Sequence, residues 1–141
     1  MQARLTEYSG SHRSPKNEAC HYVGIPLIIV GAASMLGAVP LASFAAFTVT
    51  LAELVTAGIV VFYVISARWL GVVTSLIFIA LLGAGRLLPA WAGLLVFLCG
   101  WGAQFFGHAV YEKTSPAFLK NLVHLLVGPA WLVERALSRL P

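Results

Sequence analysis

"LASFAAFTVTLAELVTAGIVVFYVISARWLGVVTSLIFIALLGAG", residues 41–85, carries only two charged side chains in its 45 positions, Glu53 and Arg68. A helix that crosses a bilayer needs about 20 apolar residues, with a range of about 17–25. This stretch is long enough for two, and the tetrapeptide SARW, residues 66–69, marks the break between them. The reading is therefore one span over Leu41–Ile65 and another over Trp69–Gly85. Working outward, Pro40 separates this pair from an apolar run at Val23–Val39, and Pro89 lies near the start of another at Leu87–Phe106. The pattern predicts an all-α integral membrane bundle of four transmembrane helices.

Composition agrees. Of 141 residues, 60% are hydrophobic and 10% charged, with a mean hydropathy of +0.89. Soluble domains are nearer 45–50% apolar and 25% charged. The length makes a single membrane domain over residues 1–141 the expectation. The net charge of +4 reports topology in such a chain, and no basic tract interleaved with aromatics points to nucleic acid. An even number of spans puts both termini on one face. Arg4, Arg13, Lys16, Arg68, Lys113, Lys120, Arg135 and Arg139 lie on that face, and Arg86 alone lies on the other. The bias predicts cytoplasmic termini, in the inner membrane of a bacterial host or the endoplasmic reticulum of a eukaryotic one.

The flanks are read as follows. Residues 1–22 form a polar segment without the early apolar stretch of a signal peptide. Cys20 and Cys99 belong to no metal or redox spacing and are expected as free thiols. Beyond the last span, cytoplasmic helices are predicted over 115–140. One runs from Ser115 as N-cap and Pro116 to a stop at Gly128-Pro129. The next is amphipathic, with Trp131, Leu132 and Ala136 opposite Glu134, Arg135 and Arg139, and is read as an interfacial anchor.

The chemistry gathers on one face. His12 and His21 precede the first span, His108 and Glu112 end the fourth, and His124 follows. Gln104, His108 and Glu112 recur every four residues and so share a helix face. Gly100 and Gly107 allow another helix close to them. Ser14-Pro15 is a helix start, which would align Asn17 with His21, and Tyr8 and His12 repeat the spacing a turn earlier. A lone histidine at an interface is usually a solvated or hydrogen-bonded side chain, and Glu112 beside Lys113 is by itself a surface ion pair. Together they form a donor set. Imidazole with carboxylate suits non-haem Fe(II), and imidazole also suits zinc and copper, so spacing leaves the metal open.

Two blocks resemble the fungal-type 2-hydroxy fatty acid dioxygenase family, small membrane proteins once catalogued as a domain of unknown function. In "YSGSHRSPKNEACHYVGIP" the matching positions are Tyr8, His12, Asn17, His21, Gly24 and Pro26. In "WGAQFFGHAVYEKTSPAFLKNLVHLLVGPAW" they are Gln104, Phe105, Gly107, His108, Glu112, Pro116, Ala117, Asn121 and Leu122. His124 departs from the family pattern. The resemblance implies a non-haem Fe(II)-dependent dioxygenase of fatty acid α-oxidation, with a long-chain 2-hydroxy fatty acid and O2 as its substrates and membrane lipid around it. It implies His12, His21 and His108 as iron ligands, with Glu112 and His124 as further candidates. Glu112 is either a ligand or a partner fixing an imidazole. Asn17 and Gln104 support the site or touch substrate. The acyl chain would lie among Phe44, Phe47, Phe62 and Phe78, and Lys113, Lys120 or Arg13 would meet its carboxylate.

Two other classes compete. A small proton-coupled transporter would use Glu53, which this reading puts near the middle of the second span. A membrane cytochrome would need histidines facing each other inside the bundle, whereas these lie beyond its core.

Overall fold

The computed structural model describes residues 1–113, 115–116 and 121–139. Its elements are helices α1 (Gln2–Gly10) and α2 (Pro15–Gly37), strands β1 (Pro40–Ser43) and β2 (Thr48–Thr50), and helices α3 (Leu51–Arg86), α4 (Ala90–Phe106) and α5 (His124–Leu137). A π-helical turn, Gly107–Glu112, extends α4. Three helices, Pro15–Gly37, Leu51–Arg86 and Ala90–Glu112, are long and apolar enough to cross a membrane. That marks a membrane protein.

As the Ser14-Pro15 signal predicts, α2 opens with Ser14 as N-cap and Pro15 in its first turn. It therefore begins eight residues before the apolar run and carries Asn17, Glu18 and His21 as helical residues. The polar flank before Ser14 also forms a helix. Leu5 and Tyr8 are the buried face of α1, too sparse a pattern to read from sequence.

Helix α3 has 36 residues and would be about 54 Å long if straight. It folds back instead. Arg68 adopts φ 47° and ψ −123°, angles of the first central position of a type II′ turn, where glycine prevails. Beyond it, Gly71 packs on the Tyr63 carbonyl, the rings of Tyr63 and Phe78 stand 5.6 Å apart, and Arg86 returns to Glu53 at 3.4 Å. The break predicted at SARW is this reversal.

The start of the second apolar run differs from the expectation. Residues 40–50 form an antiparallel ribbon, with Pro40 opposite Thr50 and Ser43 opposite Thr48. Phe44 and Phe47 stack on each other and are 57% and 61% exposed, far from any lining role. Hydropathy counts these residues as apolar whatever backbone they adopt, whereas β-branched Thr48, Val49 and Thr50 favour a strand. Helix α3 consequently starts at Leu51, not Leu41, and Glu53 sits in its first turn.

Glycines set the packing of α2 on α4. A Cβ on Gly100 would lie 2.8 Å from the Gly24 carbonyl oxygen, and one on Gly31 would lie 2.5 Å from that of Gly93. Two backbone-to-backbone contacts, seven residues apart on each helix, lock the pair.

Helix α5 packs into protein. Val127, Ala130 and Trp131 are fully buried, Trp131 Nε1–H donates to Ser9 Oγ at 2.8 Å, and Tyr63 donates to the Leu126 carbonyl. The expected interfacial anchor is thus a core element in its N-terminal half, and removing the Trp131 ring should cost about 3–5 kcal/mol. Gly128-Pro129 does not end a helix, since α5 runs through it. Of the helix expected from Ser115, Ser115, Pro116 and residues 121–123 are not helical and the helix begins only at His124 as α5, while 117–120, including Ala117 and Lys120, lie outside the described residues, as do 114 and 140–141.

Candidate metal centre

Three histidines converge where α1, α2 and the π turn meet. His12 lies between α1 and α2, His21 on α2 and His108 on the π turn. Their exposures are 2%, 1% and 2%. One ring nitrogen from each lies within 4.8 Å of the others, the metal-capable group among the described residues. The ring pairs cross at 72–83°.

Hydrogen bonds fix two of the tautomers. His12 Nδ1 lies 2.8 Å from the Tyr8 carbonyl oxygen, and His21 Nδ1 lies 2.9 Å from that of Asn17. A carbonyl only accepts, so each Nδ1 carries the proton and each Nε2 presents a lone pair. Those two Nε2 atoms face each other at 3.0 Å. Bare lone pairs at that distance repel unless a proton or cation lies between them. Metal-bound histidines usually spend the other ring N–H on a carbonyl in this way. His108 Nδ1 is buried without a hydrogen-bond partner among the described residues. The donor set therefore fits a divalent metal bound by imidazole. Burial pushes the His12 imidazole down to about 4, so it is neutral at physiological pH.

Glu112 stands outside the three-histidine group. Its Oε1 accepts from the Ser14 backbone N–H at 2.7 Å and from Asn17 Nδ2 at 3.3 Å. The π turn bonds i to i+5, so each residue advances less than in an α-helix, and such turns recur at functional sites. Glu112 ties this turn to the start of α2, holding His108 against His21. Asn17 is fully buried. Its carbonyl serves His21, its amide N–H serves Glu112, and Gly107 packs on its Oδ1, which has no hydrogen-bond partner among the described residues. Gln104 is 8% exposed and faces the same cavity as His21 and His108. The predicted site residues are thus brought together, with His124 to one side. His124 meets the Tyr8 ring edge-on at 5.9 Å and Glu7 Oε1 at 3.7 Å.

The family described as 2-hydroxy-palmitic acid dioxygenase Mpo1-like matches residues 1–140. The chain belongs to the Mpo1-like family. It is 32% identical over 141 residues to the 2-hydroxy-palmitic acid dioxygenase MPO1 of Saccharomyces cerevisiae, covering 99% of this chain and 81% of that protein. No solved structure matches the chain significantly.

In this Mpo1-like chain, two aromatic residues stand beside the histidines to which the sequence assigns no part in the site. Tyr8 stacks on His12 with centroids 4.0 Å apart and planes 13° from parallel. Trp131 backs both rings at 5.3 Å. The four-residue step from Tyr8 to His12 was the available signal for the first. Burial raises the Tyr8 phenol well above its usual range, so it stays protonated.

A cavity of about 260 Å³ opens directly beside the histidines. Its head is polar, with Tyr8, His21, Gln104, His108 and His124, and its body is apolar, with Ile25, Ile28, Ile29, Phe78, Phe97 and Trp101. Of the four phenylalanines expected to line an acyl site, Phe78 does so, and Phe62 packs against the core. Arg13 and Lys113 are exposed, and Lys120 lies outside the described residues.

Glu53, the basis of the transporter reading, lies in the first turn of α3 and not in the middle of a helix. It closes a capping box with Thr50 and pairs with Arg86 at 3.4 Å. Arg86 also donates to the Gly37 carbonyl at 2.7 Å, which places the pair at the end of α2 remote from the histidines.

Proposed function

We propose that this protein is a non-haem Fe(II)-dependent dioxygenase of fatty acid α-oxidation, shortening long-chain 2-hydroxy fatty acids by one carbon. The observation that carries the reading is the buried His12–His21–His108 group at the polar head of an apolar cavity. The names of the matched family and of the yeast relative supply the substrate class.

His12, His21 and His108 would hold the iron. Bound there, Fe(II) would activate O2 and bind hydroxy-acid oxygens, chemistry open to an iron held by few protein ligands. The chain's own residues prepare the place. Tyr8 and Asn17 hold His12 and His21 in the Nδ1–H tautomer through their carbonyls, leaving Nε2 free to ligate. Glu112 and Asn17 clamp the π turn to α2, fixing the separation of His108 and His21. Tyr8 and Trp131 set the plane of the His12 ring. The Gln104 amide and the protonated Tyr8 hydroxyl offer polar contacts to the head of the substrate, and the apolar walls exclude water from it. The stoichiometry closes without another reductant. A 2-hydroxy acid plus O2 gives the acid one carbon shorter, and the atoms left over are those of CO2 and water.

The same reading gives four membrane crossings, namely α2, the two legs of α3, and α4. The histidine end and both termini then face the cytoplasm, by the distribution of Lys and Arg. It takes the chain as one domain and α5 as an amphipathic helix, with Glu134 and Arg135 half-buried and Ser138 and Arg139 exposed at its end.

The test is direct. Purified protein with Fe(II) should convert 2-hydroxypalmitate to the acid one carbon shorter with stoichiometric O2 uptake, measured by mass spectrometry and an oxygen electrode. Metal analysis should find about one iron per chain. Unchanged substrate from an iron-loaded, folded protein would overturn the assignment.

A further inference from the structure

Two further spaces lie against the apolar floor of the cavity beside the histidines and share its wall residues. Ile28, Ile29, Phe78 and Leu125 also line a second space of about 170 Å³, which continues between α2 and the first leg of α3 past Ala32 to Leu36 and Ala52. A third space, of about 260 Å³, shares Ile25, Ile29, Phe78 and Pro129 with the first. It runs instead along the second leg of α3 and turns back toward Tyr22 and Leu137. Phe78 and Ile29 are common to all three. Both side chains stand where the three spaces adjoin.

Direction along α2 separates the two branches. At 1.5 Å per residue, Ala32 lies about 16 Å and Leu36 about 22 Å along the helix from His21. One leaflet of hydrocarbon is about 15 Å deep, half of a core about 30 Å thick. The branch toward Leu36 thus continues straight away from the metal-capable head for a distance that suits a long acyl chain. The other branch returns toward the head and suits only a bent one.

Resting on the fatty-acid reading above, we infer that the substrate's acyl chain passes between Ile29 and Phe78 into the branch bounded by Ala32, Leu36 and Ala52, and that the depth of this branch sets the accepted chain length. The carboxyl and 2-hydroxyl groups lie at the histidine head, and the terminal methyl lies near Leu36. Discrimination follows from apolar contact, because one methylene more or less in such a pocket is worth about tenfold or more in rate. Ala32 is half-buried and has room on its lining side. A larger residue there shortens the branch, and a smaller residue at Leu36 lengthens it.

The experiment is a chain-length profile. Wild type, Ala32→Phe and Leu36→Ala are each given 2-hydroxy acids of 12 to 20 carbons, and kcat/KM is measured for every length. Ala32→Phe should raise the ratio of short to long substrate by about tenfold or more, and Leu36→Ala should shift it the opposite way. A mere stability defect lowers all lengths together. Uniform losses or an unchanged profile, with wild type active, overturn the inference while leaving the proposed function standing. If wild type shortens none of the acids, the proposed function itself fails. A second measurement needs no variant. A 2-hydroxy acid with a terminal diazirine, photolysed in the wild-type protein, should label peptides containing residues 32–36 or 52–59. Label on Val73, Thr74 or residues 132–137, which line only the other branch, would place the chain there and overturn the inference.

Discussion

His12 and His21 point Nε2 at Nε2 across 3.0 Å, and each gives its Nδ1–H to the carbonyl of the residue four positions before it. The same local step, Tyr8 to His12 and Asn17 to His21, thus sets both tautomers. An arrangement that aims two lone pairs at one point suits a cation there. His108, brought in by the π turn from more than eighty residues away, completes the group.

Removing any one of the three imidazoles leaves an incomplete site. His12→Ala, His21→Ala and His108→Ala are each expected to lower bound iron and to cut turnover by about 100-fold or more, because groups that act as a unit fail together. Helical content by circular dichroism should persist, since the α2–α4 glycine contacts do not involve the histidines. Retention of full iron and activity in all three variants would refute a shared metal.

Glu112 is expected to behave differently. Its carboxylate is engaged by Ser14 N–H and Asn17 rather than grouped with the imidazoles. Glu112→Gln keeps one carbonyl acceptor and loses the charge. Iron should remain bound with affinity reduced about 10–100-fold, the usual cost of losing a partner that supports a metal ligand. Equilibrium dialysis against a calibrated chelator measures this. Iron loss as complete as in His108→Ala would instead make Glu112 a ligand.

The parts of this site that sequence revealed are those governed by local spacing. Ser14-Pro15 announces α2 and with it the alignment of Asn17 and His21. Gly100 and Gly107 announce the close helix approach. SARW announces a reversal, although Arg68 gives no sign of its positive φ. Other features depend on distant partners. Trp131 reads as an anchor because an amphipathic stripe looks the same against lipid headgroups as against α1. Leu41–Thr50 reads as membrane because hydropathy sums carry no backbone geometry. Glu53 reads as buried only while the second span is taken to start ten residues early. The i to i+5 turn that redirects Glu112 has no residue pattern of its own.

Acid should destabilise the metal-free protein. An unfolded histidine titrates near 6.5, and burial lowers folded His12 to about 4. Between these values the unfolded chain binds more protons than the folded one, so stability falls as pH drops from about 6.5 to about 4. Below the lower value this contribution is flat. The slope from one group is at most about 1.4 kcal/mol per pH unit. Thermal unfolding of chelator-treated protein across pH 4–7 measures it, and His12→Gln should reduce the slope, leaving the share of the likewise buried His21. An unfolding midpoint independent of pH in this range would contradict a buried neutral His12.

Topology can be read by labelling. With the other cysteines replaced, single cysteines at Gly10 and Ser138 should resist an impermeant maleimide applied outside intact cells and react after permeabilisation. A cysteine at Ala45, in the ribbon between β1 and β2, should react from outside. Arg68 lies at the reversal of α3, so a cysteine at Ser66 should follow Gly10 rather than Ala45. If Ser66 instead labels with Ala45, α3 crosses once and the four-crossing arrangement is wrong.

Glu53 and Arg86 form the opposite end of the molecule, and their role is predicted to be structural. Glu53 accepts from the Thr50 backbone N–H at 2.7 Å, which satisfies a donor at the start of α3, and its other oxygen meets Arg86. Arg86 in turn reaches the Gly37 carbonyl at the end of α2. The three contacts join the ends of α2, both legs of α3 and the ribbon. Losing a cap of this kind costs about 0.5–2 kcal/mol, and the partly exposed ion pair adds at most about 1 kcal/mol. Glu53→Gln should therefore lower thermal stability by a few degrees while leaving kcat and bound iron at wild-type values. Proton-coupled transport would require the opposite, a folded protein of normal stability whose activity is abolished. Reconstituted vesicles with a pH-sensitive dye, assayed beside the iron and turnover measurements, separate the outcomes. Proton flux that depends on Glu53 would revive the transporter, whereas a modest stability loss alone matches a carboxylate spent on a helix start and an arginine.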